Sequence, residues 1–396
     1  MHPLWRRMMH VAASLAFVLG LAATGQADAA KQAAGRLVLG YYVPYDATSW
    51  ASLGEHVDQL DMVALQWVTI DACGNLASTD DQTLKQLARQ HHVKVLPSLL
   101  TLSGWLNHQL LADDDTAAHA VEQIVGYTLA EGYDGFDLDL EGVHAADRPL
   151  LSQFVSWLGP ALHANDKLLT LAVPAKESEV SSGWAAAYDY AALGAEADLV
   201  TVMAYAYRGA FSGPGSVAPY DWVARVTAFS TSQIAPEKVL LGLSFYGYDW
   251  NTTSGGTRSL GYSQALALSN YYAAPLAFDL HQQSVTFSYE ATAGDDEATA
   301  GDPEPPSQTL PRLNHQINFR NPPRCDIQPP APTPVAAPPT PAPGTPQNHE
   351  VWLEDAASAE ARLAIAARYA VGGVATWRLG LEEPRVWDLF AEWRAR

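Results

Sequence analysis

The sequence predicts an α/β fold: a (β/α)8 barrel with a small α+β insertion between its seventh and eighth strands. Three observations point there. Eight short β-branched or apolar runs alternate with amphipathic helical patterns over roughly 340 residues. No Gly-x-Gly-x-x-Gly turn follows the first run, which counts against a doubly wound open sheet. The chain has 396 residues, 48% hydrophobic and 17% charged, enough to bury the core of one large domain.

The elements follow in order. Met1–Ala30 has a basic start at Arg6 and Arg7, an apolar run from Val11 to Ala23, and a small-x-small site at Ala27-Asp28-Ala29. That is the layout of a secretory signal peptide, which predicts a secreted or periplasmic protein. The run is shorter than the roughly 20 residues of a membrane span, so no span is expected after cleavage; an uncleaved anchor is the alternative. The barrel domain is expected over 36–396. Its strands are read at Arg36–Val43, Met62–Ile70, Val93–Leu100, Gly135–Glu141, Leu168–Val173, Leu199–Tyr205, Val239–Tyr246 and Val371–Trp377. Helical patterns fall between them at Asp81–His91, Thr116–Glu131, Pro149–Ala164 and Ala356–Tyr369.

Strands seven and eight are separated by roughly 125 residues, far more than one βα unit needs. An inserted subdomain is expected over 251–355, with a helix at Tyr262–Asn270 and a strand at Ser284–Tyr289. Within it, 294–348 reads as a Pro-rich, unpacked stretch: 329–346 carries nine prolines in 18 residues.

Composition excludes some functions. The 43 acids outnumber the 23 Lys and Arg, for a net charge of −20. Such a surface repels phosphate backbones, so no nucleic-acid partner is expected. The 12 His are scattered, His91-His92 included, and show no metal spacing; no metal and no cofactor is expected. No Gly-x-Ser-x-Gly nucleophile elbow occurs. A monomer is expected. The 12 Trp and 17 Tyr suit sugar faces and core packing alike.

The chemical signal sits on strand four. Residues 133–142 read Tyr-Asp-Gly-Phe-Asp-Leu-Asp-Leu-Glu-Gly. Asp137, Asp139 and Glu141 alternate with apolar residues, so they share one face of a strand. Three carboxylates facing a barrel interior repel one another and lose solvation, which makes a purely structural role implausible. At least one should keep its proton near neutral pH, as general-acid catalysis requires. Glu141, nearest the C-terminal mouth where barrel active sites lie, is the natural acid. Asp134 is read as a turn or structural residue as readily as a functional one.

This segment resembles the Asp-x-x-Asp-x-Asp-x-Glu signature of glycoside hydrolase family 18, the chitinase family, with Asp134, Asp137, Asp139 and Glu141 at the four acids. Leu240–Trp250, His349–Asp355 and Gly372–Gly380 resemble its spore-germination, cortex-lytic branch. The resemblance implies substrate-assisted retaining catalysis, the exception among retaining glycosidases. The sugar's own acetamido group would attack the anomeric carbon. Glu141 would protonate the glycosidic oxygen, Asp139 would stabilise the acetamido nitrogen, and Asp137 would share a proton with Asp139. Tyr205 would orient the acetamido oxygen. Trp377 would form an apolar floor under the sugar, with Tyr41 and Tyr246 as further substrate contacts.

One position departs from the family. The family usually reads Met-x-Tyr-Asp on strand six; here Ala206 follows Tyr205, so a carboxylate expected on the sugar is missing. The third-strand Ser-x-Gly-Gly is also altered, to Ser103-Gly104-Trp105. The favoured expectation is a glycosidase cutting β-1,4 bonds of an N-acetylglucosamine-containing polysaccharide, peptidoglycan first and chitin second. The alternative is a non-catalytic or weakly active lectin-like barrel that binds the same glycans. Cys73 follows strand two and Cys325 lies in the insertion, which places both on the rim of the mouth. An exported chain would allow them to form a disulfide; two unrelated thiols are the competing expectation.

Overall fold

The computed structural model describes residues 36–293, 325–330 and 341–395. The expected signal peptide and most of the Pro-rich stretch lie outside them. The chain up to residue 244 supplies β1 (Leu37–Tyr42), β2 (Met62–Ile70), β3 (Leu76–Ser78), β4 (Lys94–Thr101), β5 (Gly135–Leu140), β6 (Leu168–Pro174), β7 (Leu199–Met203) and β8 (Val239–Ser244). The insertion carries β9 (Tyr246–Asn251), β10 (Thr257–Gly261), β11 (Ala277–Asp279), β12 (Ser284–Thr292) and β13 (Pro346–Leu353), and β14 (Gly373–Trp377) follows. The helices are α1 (Ala47–His56), α2 (Gln82–Gln90), α3 (Gly104–Ala112), α4 (Asp114–Ala130), α5 (Arg148–His163), α6 (Tyr190–Glu196), α7 (Tyr220–Gln233), α8 (Tyr262–Tyr271), α9 (Ala356–Arg368) and α10 (Val386–Ala395).

Eight parallel strands close into a barrel in the order β1-β2-β4-β5-β6-β7-β8-β14, with β14 pairing back onto β1. Short β3 extends β2 as an antiparallel arm. The two faces of the strands separate by alternation. Outward residues such as Val38, Val63, Val95, Leu138, Leu171, Val202, Leu241 and Val374 join the helices in the main core. Inward residues Leu39, Met62, Ala64, Leu96, Leu199, Leu240 and Ala375 form a separate small core that fills the barrel's lower half. Asp46, Asp81, Asp113, Asp189 and Asp355 each cap a helix by accepting a first-turn N–H, so part of the acidic surplus is structural.

At the bottom of the barrel three aspartates act alike. Asp61, Asp134 and Asp198 each precede a strand and accept the N–H of Val38, Val95 and Leu169 on the neighbouring strand, all at 2.8 Å. Their own N–H groups donate to the carbonyls of the same three residues, at 2.9, 3.1 and 2.9 Å. Each clamp satisfies the first free donor of a barrel strand, where an unpaired buried N–H would be costly.

The insertion begins earlier than its expected boundary at residue 251. Only Phe245 separates β8 from β9, and its N–H turns to the carbonyl of Trp377. The unbroken run Leu-Ser-Phe-Tyr-Gly-Tyr conceals that bend, because hydrophobic periodicity is the same on both sides of it. The five-stranded antiparallel sheet runs β10-β9-β13-β12-β11 and packs α8 over its own core of Leu260, Leu268, Val285, Phe287 and Val351. Buried Asp249 ties its own strand, β9, to three others: Tyr289 of β12 donates to it at 2.6 Å, Arg258 of β10 at 3.0 Å, and His349 Nδ1 of β13 lies at 2.8 Å. The last three residues of the expected Pro-rich stretch, Pro346, Gln347 and Asn348, pair with β12. Pro346 is tolerated as the first residue of its strand. Strand six also stops at Met203 rather than Tyr205, and strand eight starts at Gly373 rather than Val371. Among the described residues no helix is long and apolar enough to cross a membrane.

Candidate active site

The barrel interior changes character from bottom to top. Above the apolar plug, the inward positions turn polar and carry the β5 carboxylates. Asp137 is fully buried and accepts hydrogen bonds from Ser98 Oγ at 2.7 Å, Thr170 Oγ1 at 2.5 Å and Tyr41 OH at 3.4 Å. Asp139 lies one step higher, accepts Gln66 Nε2 at 3.1 Å, and has a buried Oδ1 that no described residue satisfies. Glu141 was expected inside the strand, but β5 ends at Leu140. Its N–H still donates to Thr101 O at 2.7 Å, so the alternation carries one residue further. Buried Asn107 of α3 fixes that point by donating Nδ2 to the Glu141 carbonyl at 2.6 Å.

Burial drives the electrostatics. It pushes the Asp137 carboxyl up to about 6, against the opposing hydrogen bonds of Thr170, Ser98 and Tyr41. It raises Asp139 well above the usual carboxylate range, and the neighbouring Glu141 and Asp137 charges add to the rise. It lifts Glu141 to about 7. The stack therefore retains protons near neutrality, with the most accessible one at the mouth.

Aromatic residues surround the stack. Tyr41, at the end of β1, packs edge-on against Trp377 at 5.8 Å between ring centroids. Tyr205, two residues past β7, meets Tyr246 edge-on at 6.1 Å. Burial raises the Tyr205 phenol well above its usual range, followed by Tyr246, Asp139 and Glu141. Gly242 makes room for it: a Cβ there would stand 2.5 Å from Val202 O and 3.0 Å from the Tyr205 ring. The structure thus gathers Tyr41, Asp137, Asp139, Glu141, Tyr205, Tyr246 and Trp377. Asp134 stands apart from them as a backbone clamp at the opposite end of the barrel. Cys73, in the turn after β2, is joined to Cys325 by a disulfide with Cα atoms 5.6 Å apart. Ala206 is exposed, with φ +59°.

Several contributing residues escaped the sequence reading. Gln66, Ser98 and Thr170 are polar residues at inward positions of otherwise apolar strands, which is the signal that could have found them. Tyr188, whose hydroxyl donates to the Leu140 carbonyl, comes from the loop after β6 and leaves no comparable trace.

A parallel barrel with a proton-holding carboxylate stack and an aromatic surround at its C-terminal mouth is the architecture of a glycoside hydrolase. The chain belongs to glycosyl hydrolases family 18, whose sequence pattern matches residues 37–382. It is 28% identical over 290 residues to the uncharacterized glycosylase YvbX of Bacillus subtilis (strain 168), covering 70% of this chain and 82% of that one. It is 24% identical over 295 residues to the cortical fragment-lytic enzyme of the same organism, covering 73% of this chain and 56% of that one. In structure it is similar to a chitinase from Chromobacterium violaceum ATCC 12472, with a TM-score of 0.72, 24% identity, and coverage of 91% of this chain and 99% of that one. It is also similar to the spore cortex-lytic enzyme SleL of Bacillus megaterium QM B1551, with a TM-score of 0.71, 22% identity, and coverage of 90% and 73%. At these identities the structural likeness speaks for the fold.

Proposed function

We propose that this protein is an exported glycosidase that cleaves β-1,4 bonds after N-acetylglucosamine by substrate-assisted, retaining catalysis. The observation that carries the reading is the Asp137–Asp139–Glu141 stack, in which burial raises the Glu141 carboxyl at the mouth to about 7 and Asp139 Oδ1 beneath it has no partner among the described residues. Glu141 donates its proton to the glycosidic oxygen as the bond to the anomeric carbon breaks. The acetamido oxygen of the same sugar attacks that carbon, and positive charge develops on the acetamido nitrogen. Its N–H fits the free Oδ1 of Asp139, which carries more negative charge as its proton shifts towards Asp137. Tyr205 aligns the acetamido oxygen, a proximity effect. Trp377 lies under the apolar face of the ring, and Tyr41 and Tyr246 border it. Glu141, now a base, activates the water that opens the cyclic intermediate, so configuration is retained.

Peptidoglycan is the first choice of glycan, since relatives are named for lysis of spore cortex; chitin is the second. Export is supported by the targeting layout of residues 1–30 and by the Cys73–Cys325 disulfide, a bond that persists in oxidising compartments. A binding barrel of low activity is the second reading. The exposed Ala206, where the family usually carries a carboxylate, favours it.

The test is a matched pair of substrates. Glycosides of N-acetylglucosamine should be cleaved, and the same glycosides of glucose should not, because they carry no internal nucleophile. A thiazoline mimic of the cyclic intermediate should inhibit, as ligands resembling the transition state bind tightly. Equal cleavage of the two sugars would remove the substrate-assisted mechanism; cleavage of neither would leave the binding reading in its place.

A further inference from the structure

Beside the mouth, and outside the carboxylate stack, three potential ligand groups converge. His108 lies on α3, next to the Asn107 that holds the Glu141 carbonyl. His144 and Asp147 follow Glu141 on the segment leading into α5. His108 Nδ1 lies 3.0 and 3.1 Å from the two carboxylate oxygens of Asp147. His144 Nδ1 lies 3.7 Å from Asp147 Oδ2, too long for a hydrogen bond. One ligand atom from each residue falls within 4.8 Å of the others. The Asp147 side chain is only 5% exposed, whereas the imidazoles of His108 and His144 are 45% and 58% exposed.

We propose that His108, His144 and Asp147 form a binding site for a zinc-type divalent transition-metal ion. Two imidazole nitrogens and one carboxylate oxygen are ligands that zinc takes in tetrahedral geometry. With metal–ligand bonds of about 2.0–2.1 Å, tetrahedral ligand atoms stand about 3.3 Å apart. The separations of 3.0 and 3.7 Å from Asp147 bracket that value, and the ligand nitrogens of the two imidazoles lie within 4.8 Å of each other, so the three groups converge on one place for an ion. Asp147 supplies an anchored anionic ligand, and it does not spend its side chain on capping α5 although it occupies the N-cap position. Gly104 supports the arrangement by leaving the His144 ring its place: a Cβ there would stand 2.6 Å from His144 Nε2. The half-exposed imidazoles leave a route for the ion and an open fourth position for water.

The site would join α3 to the segment that starts at Glu141, bracing the catalytic loop from outside. The order of residues conceals it, because His108 comes from the preceding βα unit and only His144 and Asp147 are close in sequence. The ion plays no part in the proton transfers assigned to the carboxylate stack.

Zinc titrated calorimetrically into the chelator-treated full chain tests the proposal, with magnesium as a hard-ion control. One zinc per chain should bind, magnesium should give no comparable binding, and zinc should raise the thermal midpoint of unfolding. His108→Ala and His144→Ala, checked for folding by circular dichroism, should each weaken zinc binding by roughly 10–100-fold or more and lose the midpoint shift. Glu141→Gln should bind zinc like the wild type. No zinc binding by the wild type, unchanged affinity in both histidine variants, magnesium binding as tight as zinc, or loss of binding in Glu141→Gln would each overturn the assignment.

Discussion

Replacing Glu141 with Gln separates the two consequences of its environment. The folded chain holds the Glu141 proton with an affinity near 7 against an ordinary 4.5, because burial disfavours the charge. Below the ordinary value both folded and unfolded chains carry the proton, and its favourable contribution to stability is complete. As pH rises through about 7 the folded chain must ionise in a poorly solvated place, and that contribution is lost. The gap corresponds to roughly 3 kcal/mol, or about 2 kcal/mol once the solvent at the open mouth is allowed for. Gln keeps the shape and cannot ionise, and it relieves the repulsion that Glu141 exerts on Asp139. The variant should therefore match the wild type in stability near pH 4 and exceed it by about 2 kcal/mol near pH 8. Its turnover should fall by roughly 10²–10⁴-fold, the usual weight of general-acid catalysis. Urea unfolding at the two pH values, with turnover measured on the same samples, reads both. A stability difference that does not grow with pH would refute the account of the environment, and unchanged turnover would refute the proton-donor role.

Other expectations follow from neighbouring residues. The wild-type kcat/KM should fall about tenfold per pH unit above roughly pH 7, as Glu141 loses its proton; a flat profile there contradicts the assignment. Tyr205→Phe should lower kcat by roughly 10–100-fold with little change in KM, since it removes an orienting contact rather than general binding. Asp134→Ala should cost about 1–3 kcal/mol by stranding the Val95 N–H, with activity per folded molecule unchanged; a specific loss of activity would make Asp134 more than a clamp. Ala206→Asp should raise kcat/KM by about tenfold if it restores one good sugar contact, and unchanged kinetics would mean that the loop keeps the carboxylate away.

The barrel was legible because its strands have both faces buried and read as apolar runs, and because helices of opposite patterning separate them. The β5 stack was legible because polar residues at a two-residue period leave no other reading. What stayed hidden depends on tertiary contacts. The break at Phe245 follows from pairing with β14, not from local sequence. Asp134 falls in the same acidic segment as the stack, yet lies at the bottom of the barrel; only the hydrogen bonds to Val95 separate its role from that of Asp137. Ser98 and Thr170 acquire meaning only once the register sets them beside Asp137, and Gln66 only once barrel closure brings it to Asp139. The pairing of Pro346–Asn348 with β12 overrides a composition that otherwise predicts an unpacked chain.

The most direct measurement is mass spectrometry of the fragments released from purified peptidoglycan and from chitin oligomers by the wild type and by Glu141→Gln. Wild-type products should end in reducing N-acetylglucosamine, with far more released from the preferred glycan, and the variant should release almost none. Intact glycans after wild-type treatment, or equal release by the variant, would contradict it.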